Sequence, residues 1–282
     1  MTCPQRGHSI DVPSTAALAN LFDRPSLWRI EAVEALGVEG DDLIAAMSPG
    51  PAFPAALRSI TSALPPLPTS IVDLGAGTGG VSEWLRAATG ATVYAIEPAR
   101  GARAAAMVAF PHLHVLEGRA DDAPLASGIA DAVTMSGVIS LMSDLGSVLE
   151  EVDRLLAPSG CVAIADLFSS GTTSWCSAPN IFRSVEDLTK TLHHHGFSPI
   201  SFGCGKAIPD PRWCAVAQSV DDWIHDRCHG RAGYREWNVD RQHVRNHVQS
   251  GRLIGAYVVA ARRACADTAG GSSRAGRGTV SA

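Results

Sequence analysis

The segment Ile71-Val72-Asp73-Leu74-Gly75-Ala76-Gly77-Thr78-Gly79-Gly80 limits the fold of this chain more than any other. An apolar run reads as a buried strand, passes into alternating glycines, and leads to a helix from Val81. Glycine suits such a turn because the backbone must bend sharply and approach a ligand with no Cβ in between. The helix start that follows offers unpaired N–H groups to an anionic group. About 20 residues further on, Val93-Tyr94-Ala95-Ile96 reads as a second strand ending in Glu97, where a carboxylate can accept both hydroxyls of a ribose. Gly75, Gly77 and Gly80 also satisfy a GxGxxG spacing, so a dinucleotide and other ribose-bearing ligands both stay open here.

Around this unit the pattern alternates strand and helix. Strands are expected at 71–74, 92–96, 112–116, 132–135 and 161–168, with helices at 81–89, 100–110, 145–156 and 184–195. Two more strands are expected at 198–204 and 252–261. Such alternation implies an α/β fold with a doubly wound, mostly parallel, seven-stranded Rossmann-like sheet. Residues 1–65 read as an N-terminal helical cap, with Ser26 capping a helix that ends near Leu36, a short helix over Asp41–Met47 and another after Pro54. Leu64-Pro65-Pro66-Leu67-Pro68 forms a stiff boundary. The main domain then covers 66–264, and a His-, Arg- and Trp-rich stretch at 205–250, helical at 219–228 and 239–249, is expected to be a lid over one end of the sheet. Residues 265–282 are rich in Gly, Ser and Ala and are expected to be disordered.

Further motifs narrow the ligand. Asp73-x-Gly75-x-Gly77-x-Gly79 resembles the first motif of class I S-adenosylmethionine-dependent methyltransferases, where an acid lies two residues before the first glycine. Gly118-Arg119-Ala120-Asp121-Asp122-Ala123-Pro124-Leu125, with Ile129–Val133, is similar to the adenine-side loop and fourth strand of the small-molecule branch, which includes ubiquinone-type and natural-product enzymes. Glu151–Gly160 resembles the helix end and turn that follow. The resemblance covers roughly residues 68–168. It implies S-adenosyl-L-methionine as cofactor and methyl transfer to a small organic acceptor, the acceptor atom and the catalytic residues being open. It also implies roles by position. Asp73 would hold the loop and the methionine amino end. Gly75, Gly77 and Gly79 would line the methionine, and Glu97 would take the ribose. Pro98 and Ala120 would meet the adenine, and Ser136 would offer a carbonyl to the ligand amino group. Arg119 stands where the family carries an acid; a guanidinium only donates hydrogen bonds, so either Asp121 takes over that contact or the adenine is held by backbone alone.

Composition closes off other classes. A net charge of −5 lacks the basic footprint of a nucleic-acid binder. No run of about 18 apolar residues suggests a membrane span. The start of the chain lacks a signal-peptide core, and seven scattered cysteines without a CxxC pair fit reduced thiols in a cytoplasm. After the fourth strand, Ser136-Gly137-Val138-Ile139 replaces the Asn-Pro-Pro-aromatic run of nucleobase-amine methyltransferases. The pairs His225/His229 and His243/His247 read as solvated helix faces, with a base or a metal site as the alternatives; no metal is assigned. Trp213, Trp223 and Trp237, like Phe22, Trp28 and Phe53, are read as packing residues or as an apolar lid. Two rival functions remain: a nicotinamide-dependent oxidoreductase, disfavoured by Asp73 and the 154–160 turn, and a catalytically silent nucleoside-binding protein. The oligomeric state is open.

Overall fold

A computed structural model describes residues 15–50, 53–177, 179–205 and 210–263. The expected tail at 265–282 and the first residues of the expected cap lie outside these. Three helices come first: α1 (Thr15–Leu36), α2 (Asp41–Ala46) and α3 (Pro54–Ala63). The alternating core follows as β1 (Ser70–Leu74), α4 (Gly80–Thr89), β2 (Thr92–Glu97), α5 (Arg100–Ala109), β3 (His114–Glu117), β4 (Ala130–Ser136), α6 (Leu145–Leu155) and β5 (Leu156–Ser169). A hairpin of β6 (Trp175–Ser177) and β7 (Asn180–Phe182) leads into α7 (Val185–His194). The chain closes with β8 (Phe197–Gly205), α8 (Pro211–Cys228), α9 (Tyr234–Gln249) and β9 (Leu253–Arg262).

Seven strands form one sheet in the order β3-β2-β1-β4-β5-β9-β8. The pairs from β3 to β5 are parallel, and β9 runs antiparallel to both of its neighbours. This is the mostly parallel Rossmann-like sheet expected from the alternation. Its central strands β1 and β4 are buried almost throughout, because helices cover both faces, whereas the edge strand β3 is partly exposed. Strand order reverses between β1 and β4, and ligands of open α/β sheets bind outside the strand ends at that point.

Three boundaries differ from expectation. Ser26 does not cap a helix. It lies inside α1, which runs through Pro25. Proline there removes one backbone N–H, and α1 is held instead by packing against α5 and α8. Strand β5 starts at Leu156, because Leu156 pairs with Ala130 of β4 ahead of the Pro158-Ser159-Gly160 turn, with a register shift between the two pairings. Helix α8 starts at Pro211, where the Asp210 carboxylate accepts from the N–H groups of Arg212 and Trp213.

The 211–249 helices lie against the cap. Helix α8 packs on α1 and α2, and α9 on α1 and β9. Asp221 of α8 receives the guanidinium of buried Arg29 at 2.8 Å, that of Arg245 at 2.9 Å, and that of Arg241. Trp28 of α1 packs against Tyr234 and Trp237 of α9 with ring centroids 6.1 and 5.9 Å apart. Trp213 meets Trp84 edge-on, and Phe53 lies beside Gly255 of β9. The aromatic side chains of the insertion therefore join helix to helix.

Candidate functional site

A cavity opens at the C-terminal ends of four neighbouring strands. Gly75–Thr78 follow β1, Glu97 and Pro98 end and follow β2, Arg119–Asp121 follow β3, and Ser136–Val138 end and follow β4. Over this floor lie Phe22 and Ser26 of α1, the segment Met47–Gly50, Val81 of α4, Ala102 of α5, and Leu141 and Met142. Sequence reasoning singled out the floor and missed most of this upper wall. Only Phe22 was weighed there, because long-range packing brings the rest together and no local motif signals it.

The glycine loop has the strained backbone that its composition requires. Gly75 and Gly77 have φ of 71° and 56°, in the left-handed region. A Cβ at Gly75 would come within 2.5 Å of Val138, while one at Gly77 would meet nothing within 4 Å and would point into open space. The loop is thus pressed against β4's exit on one side and bare on the other. Gly79 lies one step behind it. It is the left-handed N-cap of α4, and its Cβ would press on Ala106 and Phe110 rather than on the cavity.

Two acids anchor this loop. Asp73 is fully buried at the end of β1, where its two oxygens accept from Ser82 Oγ at 2.6 Å and Thr134 Oγ1 at 2.7 Å. It ties β1 to α4 and β4 from behind and does not line the cavity. Burial pushes its carboxyl up to about 6, against the two hydroxyl hydrogen bonds that favour the charged form. Glu97 does line the cavity and is also buried. Oε2 accepts from the Gly77 N–H and Oε1 from the Ala99 N–H, both at 2.8 Å. Burial raises its pKa too, opposed by these two backbone donors. Each oxygen keeps a second lone-pair direction for a hydroxyl.

On the next loop, Arg119 and Asp121 form a bidentate pair at 2.8 and 2.7 Å, and both line the cavity. That pairing, ahead of burial, holds Asp121 below the usual carboxylate range. The Arg119 departure is therefore neutralised internally, leaving Ala120 buried against the cavity and Asp121 acceptor-only at its rim. Ser136 ends β4 with a buried hydroxyl that has no hydrogen-bond partner among the described residues.

The cap docks directly on this machinery. The Met47 carbonyl accepts from Thr78 Oγ1 at 2.6 Å and from the Gly80 N–H at 3.3 Å. The first N–H of α4, expected to face an anion, is thus taken by the cap. The Asp23 carboxylate of α1 accepts the Gly101 N–H at 2.7 Å, which brings Phe22 and Ser26 over Glu97 and Ala102. A Cβ at Gly101 would lie 2.3 Å from the Asp23 carbonyl oxygen. Alanine is the better helix former by about 1 kcal/mol, so only this docking contact can make Gly101→Ala destabilising. Thermal unfolding should show a lower Tm for the variant; an unchanged or raised Tm would contradict docking of the cap at this point.

The histidines lie elsewhere. His225 Nδ1 pairs with Tyr234 Oη at 2.6 Å, and His229 Nδ1 with the His225 carbonyl at 3.1 Å. His243 and His247 stack on each other beside Trp175. None of the four lines the cavity, and among the described residues no group of three or more His, Cys, Asp or Glu side chains could hold a metal ion. No helix of the described residues is long and apolar enough to cross a membrane.

The fold is an α/β domain with a cavity at the strand ends where its sheet reverses order. Comparison with known proteins places part of the chain beside a family and its fold beside solved structures. Residues 72–164 match the family model described as "Methyltransferase domain". Among solved structures, the [4+2]-cyclase SpnF aligns with a TM-score of 0.65 at 14% identity, over 90% of this chain and 98% of that one. A methyltransferase from Geobacter sulfurreducens, in complex with S-adenosyl-L-homocysteine, aligns at 0.56 and 17% identity, over 76% and 93%. Phosphoethanolamine N-methyltransferase 2 from Haemonchus contortus, in complex with S-adenosyl-L-methionine, aligns at 0.57 and 14% identity over 76% of this chain; the match spans 54% of that longer chain. At these identities the likeness is one of fold. No curated protein sequence matches the chain.

Proposed function

We propose that this chain transfers a methyl group from S-adenosylmethionine to an apolar small molecule held between the cap and the strand ends. The observation that carries the reading is the cavity itself, with bare Gly77, Glu97 and Ser136 on its floor and apolar side chains opposite. The floor fits the cofactor: Glu97 has lone pairs left for the ribose hydroxyls, Pro98 and Ala120 offer a flat apolar slot to the adenine, and Ser136 faces the methionine end. When bound, the cofactor supplies a methyl group already activated on a sulfonium. The protein's work is then to align the acceptor and keep water out, which is catalysis by proximity.

Phe22, Met47, Pro49, Leu141 and Met142 provide the water-excluding surface. The acidic side chains of the described lining are Glu97, engaged by two backbone N–H groups, and Asp121, engaged by Arg119. Neither is free to take a proton from an alcohol, so the acceptor is read as a nucleophile already competent near neutral pH. The 205–250 insertion serves by bracing α1 through Asp221 and the Trp28–Trp237 contact, and the chain is read as acting without nucleic acid or membrane, in the cytoplasm.

Incubation with methyl-labelled cofactor and a panel of apolar metabolites tests this. Label should appear on small apolar acceptors and not on oligonucleotides; label on nucleic acid alone would refute the substrate class. A second reading is favoured by the near end-to-end alignment with a [4+2]-cyclase. The same cavity would then hold the nucleoside as a structural ligand while apolar walls shape another reaction. Cofactor binding with no label transfer to any acceptor of the panel would favour it.

A further inference from the structure

The wall of the cavity after β4 is a four-residue turn, Ile139–Met142, and two charged side chains from other elements hold its backbone. Arg183, between β7 and α7, donates through Nη1 to the Ile139 carbonyl and through Nη2 to the Met142 carbonyl, the latter at 2.5 Å. Asp166, buried in β5, accepts the Ser140 N–H at 3.0 Å through Oδ2 and the Leu167 N–H at 2.7 Å through Oδ1. The turn is gripped from both sides: a planar fork takes two carbonyls and a carboxylate takes the N–H between them. Both charges are desolvated, an expensive arrangement unless the position of the turn matters.

Its position matters because Leu141 and Met142 line the cavity. With the Ile139 and Met142 carbonyls occupied by Arg183, the turn faces the ligand with side chains. We propose that Arg183 and Asp166 are positioning residues that fix the 139–142 turn as an apolar wall of the cofactor cavity. This rests on the cofactor reading of the cavity given above. The β6–β7 hairpin is the lever behind the fork: buried Phe182, packed on Trp175 at 4.8 Å, fixes the approach of Arg183. The charges facing the pair are few. Asp166 senses Arg183, and Arg183 in turn senses Asp166, Asp187 and Cys176. Burial lifts the Asp166 carboxyl to about 6, so the grip is set to change in the mildly acidic range.

Amide hydrogen exchange across 139–142 and calorimetry with S-adenosylhomocysteine, run on Arg183→Gln, Arg183→Lys and Asp166→Asn, test the proposal. In Arg183→Gln, exchange at the turn should rise and S-adenosylhomocysteine affinity should fall, each on the order of tenfold. Lysine keeps the charge but not the two-carbonyl fork, so it should rescue only part of either effect. Lowering the pH through about 6 should change turn protection in the parent protein but not in Asp166→Asn; affinity is compared between the two proteins at each pH, because Asp73 titrates in the same range. Should Arg183→Gln fail to fold, the Lys and Asn variants carry the same comparison. A turn whose exchange is unchanged, or one that loosens while affinity holds, would overturn the proposal. If the parent protein does not bind S-adenosylhomocysteine, the cofactor reading fails and the positioning role is judged on exchange alone.

Discussion

Glu97→Ala should weaken S-adenosylhomocysteine binding by on the order of 10- to 150-fold, the equivalent of about 1.5–3 kcal/mol for hydrogen bonds to a charged group. The change removes the acceptor facing the cavity and also strips partners from the Gly77 and Ala99 N–H groups, the second of which is buried. Leaving those donors unpaired costs about 1–3 kcal/mol, so the folded state should weaken as well. Glu97→Gln keeps one acceptor oxygen and should fall between the two. Calorimetry combined with thermal unfolding separates binding from stability. An Ala variant that is folded and binds with parental affinity would show that the ribose lies elsewhere.

Asp73→Asn should alter how stability depends on pH. The folded-state carboxyl titrates near 6 against 3.8 in the unfolded chain, because burial penalises its charged form. The folded chain therefore binds the proton more readily, and the group's stabilising contribution is full below about pH 4. It is lost as pH rises through about 6, a change of about 3 kcal/mol for this group. Asparagine does not titrate, so the parent protein should lose stability relative to the variant across that window. Urea unfolding at pH 4, 5, 6 and 7 reads the difference directly. Parallel stability curves, or a difference of opposite sign, would show that the Asp73 carboxyl is not perturbed by burial.

Much of the floor of the site was legible because it depends on local constraints. A glycine forced to positive φ, an apolar strand before it and an acid at the next strand end leave marks within about 30 residues. The sheet was legible for the same reason, since fully buried parallel strands are apolar runs that alternate with amphipathic helices. The upper wall was not. Ser26, Met47 and Ser48 carry no local signature; they reach the cavity because Asp23 meets Gly101 and Met47 meets Thr78, pairs far apart in the chain. The β6–β7 hairpin, with three residues in each strand, is too short to show a period, so Arg183 went unnoticed. The start of α8 was readable and was missed: Asp210 followed by Pro211 is an N-cap followed by a first-turn proline. Trp223 and Trp237 signalled packing, and are partly buried, without saying against what; Trp28 and Tyr234 are the answer for Trp237.

The central claim is that the cavity at the ends of β1, β2, β3 and β4 is built for an S-adenosyl nucleoside. Isothermal titration of the purified protein with S-adenosylhomocysteine and, separately, with NADH tests it most directly. The account predicts saturable binding of S-adenosylhomocysteine at one site per chain and no measurable heat from NADH. Saturable NADH binding with no S-adenosylhomocysteine signal would contradict it, and would return the glycine loop and Glu97 to the dinucleotide reading that their spacing also allows.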